Sequence, residues 1–274
     1  MRYPGNVFVI NLDRSSDRWR FMREQADALS LDIERISAID GLAVPEAMRW
    51  EFLGPAGAIH SKLSEGEVGC YAAHLVVHQR IIDADLPHAL ILEDDSILPN
   101  DISQIAGEAV AFCPMNWDII HLSSVFKERK VIPVSALGAG RHVVRHTRLP
   151  ANTWGYLVSQ AGARKLREPG LRVRPIDMEF RYAWMRGLEI YGVSPAPVRN
   201  QEQFATTIDS DGRAKSAPKG QWAPSRMSRL YGEFYKRRRV LSALVSYHAA
   251  RVGAQRGWLS DHPKQTAAWL VRKT

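Results

Sequence analysis

The chain has 274 residues, 45% hydrophobic and 24% charged, enough for one large α/β domain with an extension or for two small domains. No apolar run reaches the roughly 18 residues of a membrane span, and the opening MRYPGNVFVINLDR is too briefly apolar, and too soon charged, to read as a secretory signal. The net charge of +8 is concentrated: residues 213–274 carry 14 Lys and Arg against only Glu233 and Asp261, a balance of +12, leaving −4 for the rest.

In chain order, Val7–Leu12 reads as a buried strand, followed by a helix over Ser16–Leu29 with Trp19, Met22 and Ala26 at helical spacing. A short strand near Ile33–Ile36 leads to the turn Asp40-Gly41, and residues 42–62 read as an irregular loop or lid. Ser64 and Glu67 have the spacing of a capping box, so a helix is expected from there to about Asp83. Ala89–Leu92 reads as a strand buried on both faces, ending in Glu93, Asp94 and Asp95. A helix over Ile102–Phe112, strands at Trp117–Leu122 and Val143–Thr147, and a strand-to-helix unit over Trp154–Arg167 follow. A helix over Ile176–Arg186 and a strand at Glu189–Val193 complete the alternation, which predicts a mostly parallel sheet with helices on both faces. The composition changes near Asp211-Gly212, so a domain over 1–211 and a basic, helical extension over 212–274 are expected. Cys70 and Cys113 have no partner at a metal-ligand spacing and read as reduced core thiols, with a cytoplasmic location as the corollary.

Three adjacent carboxylates at a strand's carboxyl end are costly unless a cation or donors hold them. A divalent metal, which takes oxygen ligands, is one reading of Glu93–Asp95, and an acidic loop with a helix cap is the other. Asn11, Asp13, Arg14 and Arg18 cluster where the first strand meets its helix, a position suited to base, ribose and phosphate recognition, or to simple capping. No dinucleotide-binding or P-loop motif is present. His74 and His78 lie one turn apart, but without HExxH or a cysteine cluster a shared metal is not supported. Asp177, at the first turn of a helix after Pro175, reads either as a simple cap or as the leading candidate for a general base, with Glu179 the second candidate. Trp154 and Tyr156 offer flat faces suited to a sugar ring, or to the core.

The ordered set VFVINLDRSSDR (7–18), SAIDG (37–41), LSEGEVGCYAAHL (63–75), ALILEDD (89–95), WDIIHL (117–122), GYLVSQAGARKL (155–166) and PIDMEF (175–180) resembles the family 25 glycosyltransferases. These include bacterial lipooligosaccharide sugar transferases and relatives of the procollagen galactosyltransferases. The resemblance implies a GT-A-type nucleotide-sugar fold and inverting transfer of galactose, or next glucose, from a UDP-sugar. The saccharide acceptor would belong to lipooligosaccharide, LPS or another surface glycan. It also implies a Mn²⁺ or Mg²⁺ ion held first by Asp95, with Glu93 and Asp94 on metal or ribose. Asn11, Asp13, Arg14, Arg18, Asp40, Gly41 and His74 would sit by the donor, and Trp154 and Tyr156 by the acceptor. The acidic motif begins with Glu instead of Asp, and Ala73 stands where many relatives have Ser before the helix histidine.

Lys236-Arg237-Arg238-Arg239 lies within a stretch carrying Leu230, Phe234, Leu241, Leu244 and Val245 at helical spacing, which suggests a basic amphipathic helix. Such a helix suits the anionic inner face of the cytoplasmic membrane, where a lipid-linked acceptor would lie; a solvated helix packed on the domain is the alternative. A nucleic-acid-binding protein using the basic tail is an alternative of a different class, but it leaves the carboxylates unexplained, so no nucleic-acid partner is expected. A metal-dependent phosphohydrolase and a relative retaining only nucleotide-sugar or glycan binding are the remaining alternatives.

Overall fold

The computed structural model describes residues 3–59, 61–123, 130–201, 225–238 and 241. β1 (Asn6–Asn11), α1 (Ser16–Ala28), β2 (Glu34–Ser37), the short α2 (Glu46–Arg49) and α3 (Glu65–Asp83) open the chain. β3 (His88–Glu93), β4 (Ser96–Ile97), α4 (Ile102–Phe112) and β5 (Ile119–His121) follow, then the hairpin β6 (Val131–Ala136) and β7 (His142–His146). β8 (Gly155–Ser159), α5 (Gln160–Arg167), α6 (Ile176–Arg181), β9 (Ile190–Ser194) and β10 (Arg199–Asn200) complete the domain.

Eight strands form one sheet in the order β2-β1-β3-β8-β5-β9-β7-β6, while β4 and β10 pair separately. Successive side chains of a strand point to opposite faces, and the apolar residues of β1 and β3 divide accordingly. Phe8, Ile10, Ala89 and Ile91 pack with Val68, Ala72 and Leu75 of α3 and with Leu166 of α5. Val7, Val9, Leu90 and Leu92 pack with Met22 of α1 and with Ile105, Ala106 and Ala109 of α4. A strand apolar at every position is therefore covered by helices on both sides, as the sequence predicts.

The sheet is mixed, not mostly parallel. Three neighbouring pairs run parallel and four antiparallel, with β8 reversed between β3 and β5. Strand direction depends on which slot a connection reaches, and apolar periodicity carries no trace of that. The architecture of a mixed α/β sheet with flanking helices is nonetheless consistent with a GT-A-type fold. β6 escaped the sequence reading because Pro133 interrupts it. Proline is tolerated at sheet edges, and β6 is the edge strand, with its register shifting between Pro133 and Ser135.

α3 is fixed at its start by the expected capping box: Glu67 N donates to Ser64 Oγ at 3.2 Å and Ser64 N to Glu67 Oε2 at 2.9 Å. Gly69 lets this helix press onto the loop after β2, since a Cβ there would stand 2.4 Å from the Ile39 carbonyl. The expected helix over Ile176–Arg186 stops at Arg181 and continues as a single 3₁₀ turn, Ala183–Met185.

Of the extension expected over 212–274, only residues 225–238 and 241 are described; residues 212–224, 239–240 and 242–274, with Leu244 and Val245, lie outside the described set. Residues 226–238 are helical. One face packs on the domain: Tyr235 is buried and donates to the Leu188 carbonyl, and Trp184 Nε1 donates to Ser228 Oγ at 3.2 Å. Gly232 makes the approach possible, because a Cβ would lie 2.7 Å from the Trp184 ring. Met227, Leu230, Tyr231 and Phe234 are exposed, as is Leu241. No helix among the described residues is long and apolar enough to cross a membrane.

Candidate active site

The carboxyl ends of β1, β2 and β3 and the start of the antiparallel β8 meet at one sheet edge, where a cleft of about 380 Å³ opens. Glu93, Asp94 and Asp95 line it from β3; Arg14 and Arg18 line it from the β1–α1 side, and Asp40 and Gly41 from the loop after β2. Gly66, Glu67, Cys70 and His74 contribute the α3 wall, Asp177 the start of α6, and Trp154 the lead into β8. Open α/β sheets bind ligands at such carboxyl edges.

The three carboxylates differ. Asp94 is buried and turned toward β1, where Asn11 Nδ2 donates to its Oδ2 at 2.7 Å and Arg18 to its Oδ1 at 3.1 Å. Burial still pushes its pKa up, against those two partners. Glu93 accepts from the Thr153 hydroxyl and lies 3.6 Å from His74 Nε2. Asp95 has its pKa pushed up to about 7, by burial first and then by the charges of Glu93 and Asp94. Its Oδ1 is buried with no hydrogen-bond partner among the described residues. An acceptor left unmatched in a concentration of negative charge is what a divalent cation satisfies, and the oxygen donors Asp95 and Glu93 fit Mn²⁺ or Mg²⁺.

Two of the expected donor contacts, Asn11 and Asp13, lie off the cleft lining and support its elements. Asn11 is 1% exposed and outside the cleft lining; it accepts from Arg35 Nε at 2.9 Å and steadies Asp94. Asp13 accepts from Ser37 Oγ and from Arg35, both at 2.9 Å, and ties the end of β1 to β2. Arg14 and Asp40, both at the cleft, are ion-paired with each other.

Two more residues expected to touch substrate do not reach the cleft. Tyr156 is fully buried, its hydroxyl 2.8 Å from His74 Nδ1 and 3.0 Å from His78 Nε2, with Phe180 packed edge-on at 5.0 Å. It has no face to offer an acceptor. Trp154 and Tyr156 share strand parity, but Trp154 precedes the strand at the open edge while Tyr156 lies beneath α3. Glu179 is 4% exposed and held by Arg186 at 3.0 Å and Arg174 at 3.6 Å, so an ion-pair role replaces the expected catalytic one. Its neighbour Asp177 does line the cleft.

Cys113 is a core thiol as expected, but Cys70 is a cleft residue. Its thiol, the His74 imidazole and the Glu93 carboxylate each offer a donor atom within 4.8 Å of the others, a group able to hold a metal ion. Burial pushes the thiol pKa well up, aided by the charges of Glu93, Asp177, Glu67 and Asp95. The signal was present in the sequence: Cys70 and His74 are four apart on a helix and face the same way.

The family model described as glycosyltransferase family 25 (LPS biosynthesis protein) matches residues 5–170, more than half of the chain. A procollagen galactosyltransferase 1 of Danio rerio is 29% identical over 186 residues, covering 62% of this chain and 30% of that one. A glycosyltransferase 25 family member of Anopheles gambiae is 26% identical over 183 residues, covering 63% and 30%. The lipooligosaccharide biosynthesis protein lic2B of Haemophilus influenzae is 23% identical over 168 residues, covering 58% and 61%. A glycosyltransferase involved in glycosylation of the major capsid of PBCV-1 aligns over 75% of this chain and 95% of its own, with 9% identity and a TM-score of 0.40, too loose a likeness to argue from.

The chain belongs to glycosyltransferase family 25. It spans only 30% of the length of the animal relatives it matches. The matched range encloses the three carboxylates, Cys70 and His74; Asp177 falls beyond it.

Proposed function

We propose that the cleft binds a UDP-sugar and that the chain transfers its hexose, galactose ahead of glucose, with inversion to a saccharide acceptor of lipooligosaccharide, LPS or another surface glycan. One observation carries this reading: the Oδ1 of Asp95, without a hydrogen-bond partner among the described residues, lies beside Glu93 at the sheet edge where Arg18 also enters the cleft. The names of relatives that act in galactosyl transfer and lipooligosaccharide synthesis support the substrate class.

Asp95 and Glu93 would hold Mn²⁺ or Mg²⁺, which supplies Lewis-acid neutralisation of the departing diphosphate, worth several kcal/mol. Arg18, fixed by Asp94, adds a preorganised positive charge on the β1 side. Trp154 offers a ring face to the sugar or acceptor. Asp177 accepts the proton of the acceptor hydroxyl as that oxygen bonds to the anomeric carbon. The bond from that carbon to the diphosphate oxygen breaks, and UDP leaves with the electron pair.

Replacing Asp177 with Asn should leave donor affinity nearly intact and lower turnover by about 10²- to 10⁴-fold. Unchanged turnover would remove Asp177 from the role.

The exposed stripe Met227, Leu230, Tyr231 and Phe234, with Arg226, Arg229, Arg237 and Arg238 around it, supports attachment to an anionic membrane surface that presents a lipid-linked acceptor. Each basic residue near such a surface contributes about 1 kcal/mol. The full chain should float with anionic liposomes, and the pair Leu230→Ser, Phe234→Ser should reduce flotation. Equal flotation of both proteins, or none of either, refutes the attachment.

A further inference from the structure

The α3 wall of the cleft carries a donor set chemically unlike the oxygen pair on its floor. Cys70, His74 and Glu93 present sulfur, nitrogen and oxygen atoms within 4.8 Å of one another. Two of the three sit one turn apart on a helix held by its capping box and by the close contact at Gly69. His74 is fully buried and its ring cannot turn freely, because Nδ1 is hydrogen-bonded to the Tyr156 hydroxyl at 2.8 Å and that hydroxyl is in turn bonded to His78. The other nitrogen, Nε2, is thereby aimed toward Glu93, at 3.6 Å, and has no hydrogen-bond partner among the described residues. A histidine anchored through one nitrogen with the other left open is the arrangement that metal-ligating histidines adopt.

Magnesium and manganese favour all-oxygen surroundings, whereas thiolate with imidazole selects zinc and similar softer ions. We propose that Cys70, His74 and Glu93 form a second cation site, for Zn²⁺ or a comparable thiophilic divalent ion, that shares Glu93 with the Asp95 site. Three protein ligands leave a fourth tetrahedral position for water. Binding displaces the thiol proton to solvent and forms the metal–sulfur bond, with no change of oxidation state. Because Glu93 serves both sites, zinc occupancy withdraws a ligand from the catalytic ion and acts as an inhibitor. Only this last consequence rests on the transferase reading; the zinc site itself does not.

Cobalt(II) separates the two. Added to the reduced, metal-free full chain, Co²⁺ should give a near-ultraviolet thiolate-to-metal charge-transfer band that Zn²⁺ abolishes. Cys70→Ser should lack the band, and Tyr156→Phe, which frees the His74 ring, should weaken Zn²⁺ binding about 10- to 100-fold. No band in the wild type, or a band retained in Cys70→Ser, overturns the site. In the transfer assay, Zn²⁺ should inhibit Mn²⁺-supported turnover in the wild type, and Cys70→Ser should need at least about ten-fold more. A cobalt band without zinc inhibition refutes the sharing of Glu93. A cobalt band with no transfer from any nucleotide sugar leaves the site standing and defeats the transferase reading instead.

Discussion

Two groups of buried and half-buried carboxylates in this molecule have opposite electrostatic surroundings. Glu51, 1% exposed, accepts from Arg172 Nε at 2.6 Å and from Arg167 at 2.9 Å, while Arg172 also donates to the Tyr71 hydroxyl and to the carbonyls of Leu166 and Glu168. Glu179 is likewise held between Arg174 and Arg186. Among the described residues, only Asp94 on the cleft floor is matched in this way; Glu93 has a threonine hydroxyl and a distant imidazole, and Asp95 has an oxygen with no hydrogen-bond partner there. Arginines from over 100 residues away reach Glu51, whereas among the described residues the Arg18 charge acts on Asp95 without outweighing its burial and its acidic neighbours. The completed cluster is suited to stability, and the incomplete one is the site for which a ligand cation is proposed.

Breaking the completed cluster should have the largest effect on stability. Arg172→Ala leaves Glu51 buried with half its partners and should destabilise the protein by about 3–5 kcal/mol in urea unfolding. A loss under about 1 kcal/mol would mean that the cluster relaxes into solvent and the contrast is weaker than it looks.

The incomplete cluster should show the reverse. The Asp95 carboxyl is pushed up from 3.8 to about 7 by burial and by its acidic neighbours. The native state then binds that proton more tightly than the unfolded chain does. Its contribution to stability is present in full below about pH 3.8 and is lost as pH rises through about 7. Asp95→Asn, which cannot ionise, should therefore become more stable relative to metal-free wild type as the pH is raised from about 5 to about 8. A stability difference that does not vary with pH would show that Asp95 is already compensated.

The parts legible in the sequence were those set by near neighbours. The capping box of Ser64 and Glu67, the doubly buried β3 and its acidic end depend on residues a few positions apart. Long-range partners decided the rest. Nothing within reach of Asn11 or Asp13 in sequence announces that Arg35 and Ser37 will bind them from β2. Tyr156 reads like Trp154 until α3 is placed above it with His74 and His78. The direction of β8 depends on the slot it fills, and so the sequence alone predicts a mostly parallel sheet where the structure has a mixed one.

The most direct test of the cleft is the melting temperature of wild type and Asp95→Asn with UDP-galactose, UDP-glucose and GDP- and CMP-sugars, each with and without Mn²⁺. A ligand that binds only the native state raises stability by mass action, about 2.7 kcal/mol at a hundred times its Kd. The account predicts a rise with a UDP-hexose that requires Mn²⁺ and disappears in Asp95→Asn. No rise with any nucleotide sugar, or the same rise in the variant, would contradict it.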